Sequence, residues 1–407
     1  MRTNCRSCYA NKLVDVISLG ELHLSDFVEP DERNKPKKYP LSLVLCRECH
    51  LLQLKHTTPP SLLYTERYGY KSGISKTMKD ELSSIAKEAE KLVRLNPGNI
   101  VLDIGCNDKT LLAAYKNKGI LRVGFDPVSR FQKEFNQAKE YFVNDYFSFR
   151  RYNKLFPKRK AKVITAIAMF YDLDDPNVFV ADIKRVLDRD GVFIIQQNYL
   201  VGMLGQNAFD NIVHEHLEYY SLLSLEKLLR RHGLEVFDVS TLDINGGSFR
   251  TYVKHASSSF SVSKEVNKMR DKEIKLKLND LRVYRRFADR VKKTRNTLRN
   301  FIKKEVGKGK TVYIYGASTR GNTLLQYCGL NNDLIKKAVE RNPEKWGKKI
   351  VSVDIPIVSE KDARKLHPDY MLVLPWYFRD EFLKREKEYL ENGGKFIFPL
   401  PEMEIVG

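Results

Sequence analysis

Val101-Leu-Asp-Ile-Gly-Cys-Asn-Asp108, followed after one helix-length by Val123-Gly-Phe-Asp-Pro127, is the stretch on which the reading of this chain turns. Its spacing predicts an apolar strand ending in Asp103, a tight turn at Gly105, and a helix from near Thr110 whose first amides face the turn. A second strand ends in Asp126, 23 residues past Asp103. That is close to the spacing at which an acidic side chain reaches the ribose hydroxyls of a bound nucleoside. A dinucleotide loop normally carries G-x-G-x-x-G, so that a pyrophosphate meets bare backbone. Here Asn107 and Thr110 take the places of the later glycines. S-adenosylmethionine, an adenosyl ligand without phosphates, suits such a loop better than NAD does, and the stretch reads as the donor half of a methyl-transfer site. Taken alone, the pattern also describes a plain strand-turn-helix of any α/β domain.

Strand and helix signals alternate on both sides of this loop. A helical pattern over residues 75–95 leads into the first strand, 99–104, and further strands are expected at 121–125, 163–168 and 192–196. Helices are expected at 128–139, 178–187 and 224–232. The alternation predicts a doubly wound, largely parallel sheet, with 234–239 and 248–253 as an antiparallel edge pair around Gly246-Gly247. A charged helical segment follows, and a fresh α/β pattern opens at Thr311-Val-Tyr-Ile-Tyr-Gly-Ala317, with later strands at 337–339, 355–358, 370–374 and 395–398. The chain therefore divides into an N-terminal module (1–60), a central α/β domain (61–262), a helical connector (263–310) and a C-terminal α/β domain (311–407).

With 407 residues, 42% apolar and 30% charged, the chain has ample material for several cores. It contains no run approaching 18 apolar residues, so a spanning helix is not expected. The opening Met1-Arg-Thr-Asn-Cys-Arg-Ser-Cys8 lacks the apolar core of a secretory signal, and a cytoplasmic location is expected. A net charge of +20 makes anionic partners plausible: nucleic acid, a membrane surface, or a phosphorylated small substrate. Much of the excess lies in 263–310, where Lys292-Lys-Thr-Arg-Asn-Thr-Leu-Arg-Asn-Phe-Ile-Lys-Lys304 also repeats apolar residues at helical intervals, as a solvated helix face does.

Cys5-x2-Cys8 and Cys46-x2-Cys49 are two knuckles 37 residues apart. Four thiolates suit a closed tetrahedral zinc site, and with no ligand position left for water the zinc is structural. Disulfides are the rival reading, disfavoured in a cytosolic chain. Cys106 and Cys328 read as packing residues.

Two constellations carry acceptor chemistry. His214-Glu-His216-Leu-Glu-Tyr-Tyr-Ser221 puts two imidazoles and a carboxylate within three residues, in a chain of only eight histidines. A general base for carbon deprotonation, with Glu215 or a backbone carbonyl setting the tautomer, is a better use of it than metal binding. Asn245-Gly-Gly-Ser-Phe-Arg250 lets backbone approach a ligand that Asn245, Ser248 or Arg250 can hydrogen-bond, although read alone it is a hairpin turn. Gly316-Ala-Ser-Thr-Arg-Gly-Asn322 follows a strand and opens a helix, so that Gly316, Ser318, Thr319 and Arg320 form a candidate phosphate-binding turn distinct from a Walker loop.

In this order the motifs resemble the sugar C-methyltransferase family acting on nucleotide-linked deoxysugars. The resemblance spans the paired knuckles with Tyr39-Pro-Leu-Ser-Leu43, the D-I-G-C-N-D loop, H-E-H-L-E-Y-Y-S, G-G-S-F-R, and Gly316-Ala-Ser-Thr-Arg-Gly-Asn-Thr-Leu-Leu325 with Glu340-Arg-Asn-Pro-Glu344. It implies a zinc-binding module, a central S-adenosylmethionine domain, a C-terminal Rossmann-like domain that helps hold the sugar nucleotide, and a nucleoside-diphosphate 4-keto-6-deoxysugar as substrate. His216 matches the family's proposed base; Glu215 and His214 would orient or polarise the keto sugar, Arg320 with the Gly316 turn would meet the diphosphate, and Tyr70 would be a substrate-side phenol. The donor set is expected to be Asp103, Gly105, Asn107, Asp126, Asp145, Ala168 and Met169. Three departures stand out: Val213 in place of a tyrosine before H-E-H, Lys109 in place of a glycine in the donor loop, and Asn245 in place of a histidine before G-G-S. The resemblance favours a monomer. The alternative of an RNA methyltransferase, with the zinc module and the basic connector as its binding surface, is disfavoured because the turn after the fourth strand, Met169-Phe-Tyr-Asp172, lacks the N/D-P-P-Y/F pattern of amino-methylating enzymes.

Overall fold

The computed structural model describes residues 1–64, 71–242 and 246–407. Tyr70 and Asn245 lie outside the described residues. The N-terminal strands are β1 (Leu13–His23), β2 (Phe27–Val28), β3 (Lys38–Cys46) and β4 (Leu52–Leu54). Helix α1 (Lys76–Leu92) starts at Ser75, whose hydroxyl accepts from the Met78 amide, and it buries Leu82, Ile85, Ala86 and Ala89 on one face.

The central region then runs β5 (Ile100–Ile104), α2 (Thr110–Ala113), β6 (Leu121–Phe125), β7 (Glu140–Val143), α3 (Phe149–Leu155), β8 (Ala161–Ile167), α4 (Pro176–Val186) and β9 (Leu187–Asn198). It continues through α5 (Leu200–Gly205), β10 (Glu218–Tyr219), α6 (Leu222–Arg231), β11 (Leu234–Leu242) and β12 (Ser248–His255). Among these, seven strands form one sheet in the order β11-β12-β9-β8-β5-β6-β7. The five from β9 to β7 are parallel, and β12 and β11 are added antiparallel. All five residues of β5 are buried, as a parallel strand covered by helices on both faces requires. The order reverses between β5 and β8, so their carboxyl ends open the crevice in which doubly wound sheets bind ligands.

One expectation fails here. The helix expected over 128–139 is a short 3-10 segment, Ser129–Glu134. Pro127 has no amide to donate, the Val128 amide is taken by the Asp126 carboxylate, and Val128 stays extended, leaving one turn before Phe135. The helix expected from near Thr110 starts there and is a single turn, because the chain turns back at Asn117-Lys-Gly119, where the Asn117 side chain takes the Gly119 amide.

Helices α7 (Lys264–Lys275) and α8 (Leu281–Gly307) follow. Tyr284, Phe287, Val291, Leu298 and Ile302 of α8 are buried, whereas Lys292, Lys293, Lys303 and Lys304 face solvent, so the basic run is the wet side of a packed helix. The last region comprises β13 (Val312–Tyr315), α9 (Thr319–Cys328), β14 (Lys337–Glu340), β15 (Lys349–Ile350), β16 (Ile355–Ser359), β17 (Tyr370–Val373), β18 (Lys395–Phe398) and β19 (Glu404–Val406).

The N-terminal residues are woven into both larger bodies. β4 pairs with β10 of the central region, giving a sheet β1-β3-β4-β10, and β2 is added to the edge of the C-terminal sheet beside β15. No helix among the described residues is long and apolar enough to cross a membrane.

Candidate active site

At the donor end, β5 delivers Asp103 into the interior, where its carboxylate accepts from the Thr165 hydroxyl at 2.6 Å. Burial, opposed by that bond and reinforced by the charge of Asp126, pushes the Asp103 carboxyl up to about 7. Gly105 has φ +72°, and a Cβ there would stand 3.1 Å from the Met169 side chain, so the turn requires glycine twice over. The Asp126 carboxylate takes the Asn107 amide and the Val128 amide, both at 2.9 Å, and burial raises it. Each of its oxygens keeps a second lone pair for a hydroxyl.

The segment ahead of α1 closes over the loop. The Asn107 side-chain oxygen accepts from the Ser72 amide at 3.0 Å, and the Asp108 carboxylate accepts from the Gly73 amide at 2.8 Å. Lys109 adopts the left-handed conformation (φ +65°), which explains why a glycine suits this position, and its ammonium is ion-paired with Glu140 at 2.7 Å. Ala168, also left-handed, and Met169 form the facing turn after β8. Asp145 lies beyond β7, ion-paired with Arg151 at 2.7 Å. A glycine turn with two buried acids at neighbouring strand ends has the chemistry to hold the adenosyl and ribose parts of S-adenosylmethionine.

Cys5, Cys8, Cys46 and Cys49 converge so that their sulfurs all lie within 4.8 Å of one another, with Cys5–Cys49 and Cys8–Cys46 at 3.5 Å. Zinc–sulfur bonds of about 2.3 Å in a tetrahedron place sulfurs about 3.8 Å apart, so the four thiolates fit a zinc ion. A Gln53 amide donates to the Cys5 sulfur at 3.1 Å, and the Asn177 side chain grips the carbonyls of Arg6 and Ser7 at 2.9 and 2.8 Å, seating the knuckle on α4.

The acceptor end is assembled around residues 209–219. His216 presents Nδ1 to the Asn211 carbonyl at 3.0 Å, so Nδ1 bears the hydrogen and Nε2 the lone pair. The Tyr171 ring lies 4.3 Å away, edge-on. Burial, with the charge of Arg320 second, pulls the imidazole down to about 3, so it is neutral at physiological pH. Burial raises the neighbouring Glu215 carboxyl. His214 points elsewhere: its Nε2 meets the Tyr39 carbonyl at 3.1 Å, fastening the segment to β3.

Other anticipated residues are placed unevenly. Arg320, at the start of α9, reaches Asp210 at 2.8 Å and lies 4.9 Å from the Tyr377 ring, close enough to His216 to act on its charge. A Cβ on Gly246 would meet Trp376 at 3.3 Å and Arg320 at 3.6 Å, so this turn, Arg320 and Trp376 come together. Ser248 is buried in β12 opposite Asn198. The Arg250 guanidinium is engaged with Glu81, Glu88 and Ser84 of α1, with Tyr252 and with Gln196, which fastens α1 over the sheet. Ser318 caps α9 through the Gly321 amide, and Thr319 is the helix's first residue. Gly316 (φ +85°) packs its bare Cα against Pro375, and the Ala317 amide of this turn is already taken by the Glu340 carboxylate at 3.0 Å.

Asp210 and Trp376 were missed by sequence reasoning. The Asp210 carboxylate is 1% exposed and accepts from Arg320 and from the Trp376 indole at 3.2 Å. Phe209-Asp-Asn211 belongs to no spaced motif, and only a buried acid just ahead of H-E-H could have drawn attention to it.

The strand order and the donor loop at its switch point define an S-adenosylmethionine-dependent methyltransferase. Three family models cover the chain in order: a zinc binding domain over residues 5–64, a methyltransferase domain over 71–239, and a C-methyltransferase C-terminal domain over 243–401. C-methyltransferase NovU of Streptomyces niveus is 32% identical over 405 residues, covering 99% of this chain and 96% of that protein. The chain belongs to this C-methyltransferase family, and it is an S-adenosylmethionine-dependent C-methyltransferase with a zinc-binding module. Among solved structures, the mitomycin 7-O-methyltransferase MmcR shares 16% identity (47% of this chain, 56% of that one, TM-score 0.35). The plantazolicin methyltransferase BamL, solved with a desmethyl analog and S-adenosylhomocysteine, shares 14% (45% and 87%, TM-score 0.35).

Proposed function

We propose that the acceptor is a nucleoside-diphosphate 4-keto-6-deoxysugar, methylated on the carbon beside its ketone after His216 removes that carbon's proton. The observation that carries this reading is the state of His216: Nδ1 is spent on a carbonyl, Nε2 is free to accept, and the ring is neutral. A ketone acidifies the neighbouring carbon, so a neutral imidazole is a sufficient base once the developing enolate is stabilised. Bound S-adenosylmethionine supplies the sulfonium methyl that the enolate carbon takes up. Asp103, Gly105, Asn107, Asp126, Ala168 and Met169 hold the donor, with Asp145 at the rim.

On the acceptor side Arg320 supplies positive charge for the substrate's anionic parts, and Glu215, the Gly246 turn, Ser248, Tyr70 and Asn245 complete the pocket. His214 and Arg250 act at one remove, by fixing the H-E-H segment and α1. In this reading the N-terminal module, the donor domain, the helical connector and the C-terminal domain divide at 60, 262 and 310, and the reduced cysteines suit the cytoplasm.

The test is hydrogen exchange in deuterium oxide, with a thymidine- or cytidine-diphosphate 4-keto-6-deoxyhexose and S-adenosylhomocysteine as the inert donor. The wild-type protein exchanges the hydrogen beside the ketone, and His216→Gln does not. Exchange at the wild-type rate in H216Q would remove His216 as the base.

A further inference from the structure

Asp172 has no part in the chemistry above, yet it stands where the two ends of the site meet. It lies in the 3-10 turn Phe170–Asp172, directly after Met169, whose side chain closes on Gly105 of the donor loop. The same turn is tied to the acceptor segment at two points. The Tyr171 ring rests against His216, and the Tyr171 carbonyl accepts from the Leu217 amide at 2.8 Å. Asp172 Oδ2 accepts from the Tyr64 hydroxyl at 2.9 Å. Oδ1 is fully buried and has no hydrogen-bond partner, and no cation pairs with either oxygen among the described residues.

A carboxylate in such a place would be a buried charge with one hydrogen bond, whereas a neutral acid is far less costly there. The Tyr64 hydrogen bond opposes burial, and the charge of Glu215 reinforces it. Glu215, Glu218 and Tyr219 of the acceptor segment interact with Asp172 or its neighbourhood as potential anions, and Tyr64 is a neutral donor. Burial therefore dominates and pushes the Asp172 carboxyl well above the usual carboxylate range. Because Oδ2 is accepting from Tyr64, the acid hydrogen resides on Oδ1, the one oxygen with nothing to donate to.

We propose that Asp172 is a catalytic residue of the acceptor site: a neutral carboxyl, held through Oδ2 by Tyr64, that donates its Oδ1 hydrogen bond to the substrate's ketone oxygen as that oxygen becomes an enolate. The assignment rests on His216 being the base. His216 Nε2 takes the proton from carbon, the C–H electron pair becomes the enolate double bond, the carbonyl π pair moves onto oxygen, and Asp172 shares its hydrogen without giving it up. A preorganised donor aimed at the atom where charge develops is worth about 10²–10³ in rate. An acid kept neutral by an apolar site is one known way to provide it.

The experiment compares the full-length, zinc-loaded wild type with D172A, D172N and Y64F, using a thymidine-diphosphate 4-keto-6-deoxyhexose with S-adenosylmethionine. Alanine removes the donor and should lower kcat by about 10²–10³ with KM little changed. Asparagine keeps an N–H donor beside a carbonyl for Tyr64, so D172N should recover to within about tenfold of wild type and lose any alkaline limb due to Asp172 ionisation. Y64F should fall between the two. A D172A kcat within about twofold of wild type would overturn the proposal, and so would D172N as slow as D172A, since the carboxyl would then be needed for something other than donating.

Two measurements separate these outcomes from other failures. Equal S-adenosylhomocysteine affinity shows that each variant is folded, and if D172A fails it, the isosteric D172N and Y64F decide. Infrared difference spectra of wild type against D172N at pH 7 should show a protonated-carboxyl band lost in the variant, whatever the sugar. Its absence would sink the neutral acid directly, whereas unchanged exchange by H216Q would sink only the base.

Discussion

The two ends of the active site are built in opposite ways. At the donor end, Asp103, Gly105, Asn107 and Asp126 come from one strand-turn-helix-strand stretch, where the Asp126 carboxylate takes the Asn107 and Val128 amides and the Gly105 amide meets the Phe125 carbonyl, with Thr165 and Ser72 as partners from outside it. At the proposed acceptor end, His216, Asp172, Asp210, Arg320, Trp376 and the Gly246 turn come from segments as far apart in the chain as Asp172 and Trp376. A local site of this kind survives damage elsewhere in the molecule. The composite one depends on every body that contributes to it, including the zinc module, whose strand β4 is the partner of β10 just after His216.

The strongest attempt to break that contrast is removal of the metal. Chelation, or Cys46→Ser, should abolish turnover while leaving S-adenosylhomocysteine affinity within about threefold, because a structural zinc holds its module folded. Turnover that survived complete zinc loss would show that the acceptor end stands without the module. His216→Gln comes next: kcat should drop by about 10²–10⁴ with donor affinity unchanged, as read by steady-state kinetics and calorimetry.

The contrast extends to pH, with opposite signs. The His216 imidazole falls from its ordinary 6.5 to about 3 in the folded chain. Between those values the unfolded chain binds a proton that the folded chain does not, so folded stability declines as pH falls, by up to about 1.4 kcal/mol per unit. Asp103 rises from 3.8 to about 7, so in that window the folded chain holds the extra proton and stability declines as pH rises. Denaturant unfolding should show H216Q gaining on wild type from pH 6.5 downward, and Asp103→Asn gaining on wild type from pH 4 to 7. Parallel curves would mean that neither group is perturbed as described.

Smaller effects test the donor loop alone. Gly105→Ala imposes a left-handed alanine and a 3.1 Å contact with Met169, and should weaken S-adenosylmethionine binding about tenfold, or about 1.4 kcal/mol. Exchange chemistry at saturating donor should be untouched. Lys109→Gly relieves a left-handed lysine but forfeits the Glu140 ion pair, so its unfolding free energy should stay within about 1 kcal/mol of wild type.

Legibility followed the same division. Asp103, Gly105 and Asp126 stand where the spacing of the loop puts them, and the four cysteines meet as two knuckles should. The 128–139 helix was misjudged because a side-chain bond from Asp126 outweighed the helical signal. His214 and Arg250 carried the right chemistry in the right motifs, but the Tyr39 carbonyl and the acids of α1 turn them to other partners. Asp210 and Asp172 had no motif at all. Their significance lies in burial and missing hydrogen-bond partners, which no residue pattern encodes.

The sequence alone determined the doubly wound core, the donor loop, the zinc knuckles and the presence of an H-E-H segment with two imidazoles and a carboxylate. Each of these depends on side chains a few residues apart, or on a periodicity that local backbone geometry imposes. The tertiary structure decided that His216, not His214, lies against Tyr171, that Arg320 pairs with the buried Asp210 while Arg250 is held by the acids of α1, and that the Asp172 carboxyl after β8 is buried against Tyr64. Those outcomes are settled by desolvation and by contacts between segments distant in the chain, and both exist only once the sheets have packed.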